Sequence, residues 1–417
     1  MLKSLATPDV KSRVRIVSLL AVIFLIISCG LFAASAQAQQ SNQQIRPRRV
    51  GSDAQQKPDG KAQGSQTETP AGEEVDDGDV VRVETQLVSV PAVVTDRTGR
   101  PLVNLRAENF VLYEDGHPQQ ISNFATTEAP FEVVLLLDTS GSTRDELGLI
   151  RSAARAFIDA LRPGDRVSIV AFNSSEDGGL ATVDVRSKLT SDRDALQKAL
   201  EDIGSSNGTP YYDALTKIAG DIFGAPPRDE VRGRRAVVAL TDGVDSASNA
   251  DFAEASARLQ RSGVACYFIQ VNTEDFVEDR LLQDCQTFGT IRLSEAQLER
   301  YRRIFVPKAD AANFDDFCRM GPFERMDISR KLYDLARREM SEMARTSGGK
   351  TFAANDLRDA RTAFSQVAAE IGTQYSLGYY PTNKSHDGRF RSIKVEIRGT
   401  TQQTQVRARE GYFAPKS

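Results

Sequence analysis

Asp138, Ser140 and Ser142 form one Asp-x-Ser-x-Ser pattern, a carboxylate and two hydroxyls within five residues. All three are hard oxygen donors of the kind that suits Mg²⁺, with Mn²⁺ or Ca²⁺ as alternatives. Two further segments add oxygen: Thr209 within Asn207-Gly208-Thr209-Pro210, and Asp242 within Thr241-Asp242-Gly243-Val244-Asp245. Each also has an ordinary structural reading. A serine of the first segment can cap the helix that follows, and Thr209 can be an N-cap with Pro210 at the first helical position. Asp242-Gly243 can be a simple turn. The elements that carry the three segments separate these readings.

Residues 132–137 read as a buried strand that stops at Asp138. Beyond it, Leu147, Ile150, Ala154, Phe157, Ile158 and Leu161 recur at helical spacing until Pro163-Gly164 ends the run. A second helix follows Thr209, with Tyr212, Leu215, Ile218, Ala219 and Ile222 on one face. A strand over 235–240 runs into Asp242. The oxygen donors therefore lie on three loops at strand ends or helix starts, in the order Asp-Ser-Ser, Thr, Asp. That order and context resemble the von Willebrand factor type A (VWFA) domain and its metal ion-dependent adhesion site.

The resemblance implies that Ser140, Ser142 and Thr209 bind the metal directly. Asp138 and Asp242 hold coordinating waters, one of them sometimes reaching the ion. With inner coordination mostly by hydroxyl and water, the divalent charge is under-neutralised, and an open position attracts a carboxylate from a partner protein. The resemblance also implies two positions for the Thr209 loop, linked to movement of the last helix of the domain, here 357–371.

Enzymatic readings fare worse. Leu136-Leu137-Asp138-Thr139-Ser140 is like the Asp-Thr-Gly of pepsin-like proteases, but those need two such loops in an all-β body. A phosphoaspartyl hydrolase needs a second Asp two places on, where Ser140 stands. The only histidines, His117 and His386, fall in expected hairpin loops, and no Gly-x-x-x-x-Gly-Lys-Ser/Thr phosphate loop is present. The expectation is a binding module without catalysis. The alternative is a structural component of an envelope assembly in which metal only stabilises the fold.

The N-terminus predicts export. Lys3, Lys11, Arg13 and Arg15 precede an apolar run over 16–32, and Ala36-Gln37-Ala38 offers a small-residue cleavage site, making 1–38 a signal peptide. The same run is long enough to be read as an uncleaved anchor, and Ile26-Ile27-Ser28-Cys29 as a lipobox. The expected location is the periplasm or the cell exterior, with membrane contact only through such an anchor. Removing 1–38, which carries those four cations against Asp9, lowers the net charge from −4 to −7. An acidic body argues against a nucleic-acid partner. Residues 39–79 are rich in Gln, Ser, Pro, Gly and charge, and read as a disordered linker.

Folded structure is expected from about residue 80. Residues 80–128 read as a small β module, with Phe110-Val111-Leu112-Tyr113 and Gln120-Ile121 flanking a hairpin turn. Residues 373–417 add strands around 374–380, 393–397 and 406. Neither piece can bury a face alone, so they are expected to pair, with a VWFA domain at 129–372 inserted between them. The fold class expected is α/β: a doubly wound, mainly parallel, Rossmann-like sheet flanked by this all-β module. Strands are expected at 167–172, 180–185 (an antiparallel edge), 264–271 and 351–352, with helices at 328–345 and 357–371.

Both flanks resemble a bacterial family of exported proteins, the acidobacterial-type VWFA-related domain family. The resemblance rests on Asp96-Arg97-Thr98-Gly99-Arg100-Pro101, Phe110-Val111-Leu112-Tyr113-Glu114-Asp115-Gly116, Gln374-Tyr375-Ser376-Leu377-Gly378-Tyr379-Tyr380-Pro381 and Arg407-Ala408-Arg409-Glu410-Gly411-Tyr412-Phe413. One departure from the VWFA pattern is an insertion over 272–327, which leaves the sheet on the side of the oxygen donors and forms either a rim to the site or a decoration beside it. In an oxidising compartment Cys285 and Cys318 are candidates for a disulfide, while Cys266 lies in an apolar strand and is expected to stay a buried thiol.

Overall fold

The computed structural model describes residues 87–141, 143, 146–175, 179–225, 227–228, 230–231, 233–283, 285 and 291–416. The signal peptide, the Cys29 lipobox, the linker 39–79 and Ser142 lie outside the described residues. The chain opens with strands β1 (Val88–Asp96), β2 (Phe110–Glu114), β3 (His117–Gln119) and β4 (Ile121–Ala125). The β2–β3 hairpin is tighter than the sequence pattern suggested. Asp115 and Gly116 both take positive φ, as a two-residue primed turn requires. Pairing ends at Leu112↔Gln119, and β4 crosses to another sheet beside Tyr379, so Ile121 is not part of the hairpin and His117 lies in a strand.

The central sheet has six strands: β5 (Glu132–Leu137), β6 (Arg166–Ser174), β7 (Ala181–Thr190), β8 (Arg235–Thr241), β9 (Ala265–Val271) and β10 (Lys350–Ala354). Their order is β10-β9-β8-β5-β6-β7, parallel except for the β6–β7 edge pair. This is the expected doubly wound α/β architecture. Beyond Glu132, whose carboxylate pairs with Arg166 and Arg235, the central strand β5 is apolar because both its faces are covered. Val133, Leu135 and Leu137 point into one core, with helices α1 (Leu147–Ala160), α2 (Arg193–Glu201) and, near the end of the chain, Ala360–Gly372. Val134 and Leu136 point into the other, with α3 (Tyr211–Lys217), α4 (Phe252–Ser262) and the long helix Pro322–Ser347.

Helix α2 was not foreseen. It buries only Leu196, Ala199 and Leu200, and its start is fixed by the Asp192 side chain accepting from Asp194 and Ala195. The helix after Thr209 is also not uniform. It is α-helical for seven residues and then widens into a π-helix over Ile218–Ile222, which keeps Ile218 and Ala219 buried.

The insertion folds into helices α5 (Glu274–Leu281) and α6 (Glu295–Phe305), and it includes the start of α7 (Pro322–Ser347). The helix expected at 328–345 thus begins inside the insertion. These elements share a core of their own, with Leu281, Leu293, Leu298, Tyr301, Phe317 and Leu332 among its residues. A Cys285–Cys318 disulfide ties it together, and Cys266 is a buried free thiol. No helix among the described residues is long and apolar enough to cross a membrane.

Helix α8 (Ala360–Gly372) leads into β11 (Tyr375–Tyr379), β12 (Phe390–Ile397), β13 (Thr404–Ala408) and β14 (Gly411–Phe413). These pair with the N-terminal strands into two four-stranded sheets, β13-β1-β11-β4 and β14-β12-β2-β3. Together the sheets enclose a core of Val90, Phe110, Leu112, Tyr375, Leu377 and Val395 among others. Two arginines fasten this sandwich to the α/β body. Arg407 donates to the carbonyl of Gly348 at 2.7 Å and pairs with Glu370. Arg409 is buried, and its guanidinium donates to the carbonyls of Ser89, Gln260 and Gly411 at 2.9, 2.7 and 3.2 Å. Replacing it strands three carbonyls at the seam. Arg409→Met is expected to cost about 2–3 kcal/mol in urea unfolding; a loss within error of zero would show that the seam does not depend on it.

Candidate metal centre

Register brings the first two donors together. Strands β5 and β8 run parallel with Leu137 opposite Leu240, so the chain leaves both strands side by side at their carboxyl ends. Ligands of open α/β sheets bind at such ends. The amide of Asp138 donates to the carbonyl of Leu240 at 3.0 Å, and Thr241 Oγ1 donates to Asp138 Oδ2 at 2.6 Å. Asp138 Oδ1 in turn accepts the amide of Ser140 at 3.0 Å, the local turn that an aspartate at this position favours. Thr143 closes the loop by donating to the carbonyls of Asp138 and Ser140. It serves as a structural tie.

Asp242 sits one residue beyond Thr241. Its Oδ1 accepts the amide of Val244 at 2.9 Å, and its Oδ2 accepts Thr273 Oγ1 at 2.5 Å and, at the edge of bonding distance, Tyr333 OH at 3.4 Å. Gly243 follows at φ +76°, where a Cβ would lie 2.7 Å from the end of the Met340 side chain. Only glycine fits that turn without strain.

Thr209 reaches the same region by another route. Its amide donates to Ser246 Oγ at 2.8 Å, and its carbonyl accepts the amide of Ser246 at 3.0 Å. The N-cap reading is overturned. Helix α3 starts at Tyr211 with Pro210 in the cap position and no side-chain cap of its own. The carboxylate of Asp245 supplies that role from a different loop, accepting the amides of Tyr211 and Tyr212 at 2.9 and 3.3 Å. The Thr209 hydroxyl makes no hydrogen bond among the described residues, so it is left available as a donor to a ligand.

The electrostatics are those of a site with charge to spare. Asp138 is 1% exposed and Asp242 7%. Burial pushes the Asp138 carboxyl above its ordinary value. Burial first, and the neighbouring Asp138 charge second, push Asp242 up to about 7. Among the described residues no lysine or arginine pairs with either carboxylate, and no group of three or more His, Cys, Asp or Glu converges. Two buried carboxylates beside the Ser140 and Thr209 hydroxyls fit a hard divalent cation, which would neutralise the pair with oxygen ligands.

Of the residues singled out from the sequence, Asp138 and Ser140 bond each other, Asp138 is tied to Leu240 and Thr241 just before Asp242, and Thr209 is tied to Ser246, four residues beyond Asp242. The sequence reading missed Thr241, Thr273, Tyr333, Asp245 and Ser246. Asp245 and Ser246 follow closely on Asp242 and could have been found as extra oxygen donors in that loop. Thr273 and Tyr333 carried no signal, because they meet Asp242 only when the insertion folds over it.

Residues 132–289 match the profile of the von Willebrand factor type A domain, a protein-interaction module. The match runs from β5 past α5 and stops short of α6, α7 and β10. No curated protein matches the sequence. Among solved structures, the chain is similar to the conserved hypothetical protein BatB from Bacteroides thetaiotaomicron, at 17% identity and TM-score 0.35, covering 58% of this chain and 98% of that one. It is also similar to proximal thread matrix protein 1 from the mussel byssus, at 13% identity and TM-score 0.38, covering 65% of this chain and 51% of that one. A von Willebrand factor type A protein from Catenulispora acidiphila aligns at 12% identity and TM-score 0.37, covering 80% and 75%.

The raised Asp242 carboxyl has a signed consequence for stability. Between its ordinary value of 3.8 and about 7 the folded chain holds a proton that the unfolded chain has released. Stability of the metal-free protein therefore falls as pH rises through that window and levels off above it. Asp242→Asn removes the proton and the slope with it. Thermal melts in EDTA from pH 4.5 to 8 should show a smaller decline for the variant; parallel curves would place the Asp242 carboxyl in its ordinary range.

Proposed function

We propose that the chain is an exported, non-catalytic binding module that captures an acidic side chain of a partner protein through a divalent cation, Mg²⁺ first. The observation that carries this reading is the buried Asp138–Asp242 pair at the carboxyl ends of β5 and β8, with no lysine or arginine against it among the described residues. Asp138, Ser140, Thr209 and Asp242 would hold the ion, with Ser142 as the further hydroxyl that the sequence pattern supplies. When bound, the cation supplies an electropositive oxygen-seeking position to which a partner carboxylate adds without any bond being made or broken in the protein.

Every other part of the work falls to the chain. Thr241 and the Ser140 amide orient Asp138. Thr273 and the Val244 amide orient Asp242. Asp245 and Ser246 fix the backbone around Thr209. The Thr241 and Thr273 hydroxyls are spent on orienting the two carboxylates, an arrangement suited to holding a ligand. The basic and apolar N-terminal segment supports export, and the Cys285–Cys318 disulfide supports an oxidising compartment.

A second reading has one observation in its favour. Thr273 and Tyr333 cover one oxygen of Asp242, as they would if a cation only stabilised the fold of an envelope component. Titration calorimetry separates the readings. Wild type should bind Mg²⁺ or Mn²⁺ and the Asp138→Ala/Ser140→Ala variant should not; equal binding by both would overturn the site. Capture of partners from envelope extracts should then be lost in EDTA, whereas EDTA-insensitive capture together with a metal-dependent melting temperature would favour the structural role.

A further inference from the structure

The Thr209 loop is gripped from outside the matched domain. Helix α6 belongs to the insertion, and its N-cap, Ser294, donates to the carbonyl of Ser246 at 2.7 Å. Ser246 is the residue that exchanges hydrogen bonds with the Thr209 backbone. Further along the same helix, Arg300 lies 4.6 Å from the ring centroid of Tyr212 and donates to its hydroxyl at 2.6 Å. The same guanidinium donates to both oxygens of Glu339, on α7, at 2.8 and 2.6 Å. Tyr212 also donates its hydroxyl proton to Glu339, which closes a three-membered cluster. All three groups are removed from water: Tyr212 is 1% exposed, and the Arg300 and Glu339 side chains 13% and 10%.

Tyr212 stands three residues after Thr209, in the first turn of a twelve-residue helical run, seven residues of α-helix followed directly by the π segment. A helix that short has little stability of its own, so its placement follows from what holds it. Asp245 holds its first amides, and Arg300 with Glu339 holds its first large side chain. The Thr209 hydroxyl has no bond of its own among the described residues, so its place is set by the backbone alone. That backbone is pinned at Ser246 and at Tyr212, and α6 reaches both pins.

We propose that Arg300 is a positioning residue: the insertion clasps the Thr209 loop through Arg300–Tyr212–Glu339 and so sets how well Thr209 serves as a donor, a role that rests on the metal-binding reading above. The clasp is built by the insertion, from residues outside the matched stretch 132–289. It makes the insertion a working part of the site, because a partner that engages α6 shifts the same loop that completes the metal shell. Arginine suits the role because its planar guanidinium lies over the ring while one of its nitrogens reaches the Tyr212 hydroxyl and the Glu339 carboxylate.

The test uses the full chain. The Arg300→Met/Glu339→Gln variant removes both charges together, so no buried charge is left unpaired. Arg300→Lys keeps the charge but loses the guanidinium plane over the ring. Hydrogen exchange in EDTA should accelerate at the amides of Thr209, Tyr211 and Tyr212 in the double variant and remain as in wild type at 132–137, with Arg300→Lys intermediate. Mn²⁺ affinity, read by electron paramagnetic resonance of the metal alone, should weaken roughly three- to thirty-fold in the double variant. In a Thr209→Ala background the same changes should weaken it no further. Unchanged exchange at Thr209, Tyr211 and Tyr212, or a loss of Mn²⁺ affinity that persists without the Thr209 hydroxyl, would overturn the clasp. Failure of wild type to bind Mn²⁺ would overturn the metal reading instead, and the exchange result would then decide the clasp by itself.

Discussion

Two carboxylates held side by side in a dry place are the constraint around which this molecule is arranged. Each loses its hydration on burial, and each raises the cost of charging the other. Around them the chain supplies hydroxyls and amides: Thr241, Thr273, and the backbone of Ser140 and Val244. These dipoles orient the carboxylates but carry no net charge to cancel them. The pair can be held there because the sheet beneath it is rigid. Strands β5 and β8 are buried on both faces and locked in register, so their ends cannot splay apart to relieve the repulsion.

The rest of the α/β body follows from the need to cover that sheet. Helices α1, α2 and α8 close one face and α3, α4 and α7 the other, and the two cores divide the side chains of each central strand by simple alternation. The antiparallel β7 ends the sheet on one side. On the other, β10 pairs with β9 directly after the long α7, so the insertion and the sheet are tied by one continuous helix. Tyr333, in the middle of that helix, is the group that reaches Thr273 and Asp242.

The β-sandwich is attached at the opposite end of the chemistry. Helix α8 covers the first core and then runs straight into β11, which lies between β1 and β4. Arg407 and Arg409 span the seam by donating to the backbone carbonyls of Gly348 and Gln260, and Arg409 is anchored on the sandwich side at Ser89. Arginine contacts of this kind favour a fixed junction over a swinging one. A change in the body felt by α8 has a direct covalent path into the sandwich.

Much of this was legible in the chain itself. The apolar run 133–137 reads as a strand covered on both faces, and Asp138 at its end as a loop residue at the sheet's rim. The alternating Ile393, Val395 and Ile397 mark a one-faced strand that needs a partner sheet. The candidate donors Asp138, Ser140, Ser142, Thr209 and Asp242 stand out as oxygen-bearing residues on loops beside strands and helices, and it is the resemblance to the VWFA metal site that groups them. Tertiary structure decided what local sequence cannot encode. The cap of α3 comes from Asp245, more than thirty residues on, so the structural alternative for Thr209, that it caps this helix, could not be decided from the local sequence. The hairpin ended early because Ile121 gains more by entering the sandwich core beside Phe124 and Tyr375 than by extending a two-stranded pair. Thr273, Tyr333 and Arg300 carry no motif, and they act on Asp242 and Tyr212 only because a separate apolar core and a disulfide fold the insertion back over the strand ends. Periodicity and turn chemistry report what a residue's neighbours in sequence require, whereas contacts across sixty or ninety residues depend on how whole elements pack, and no local pattern records them.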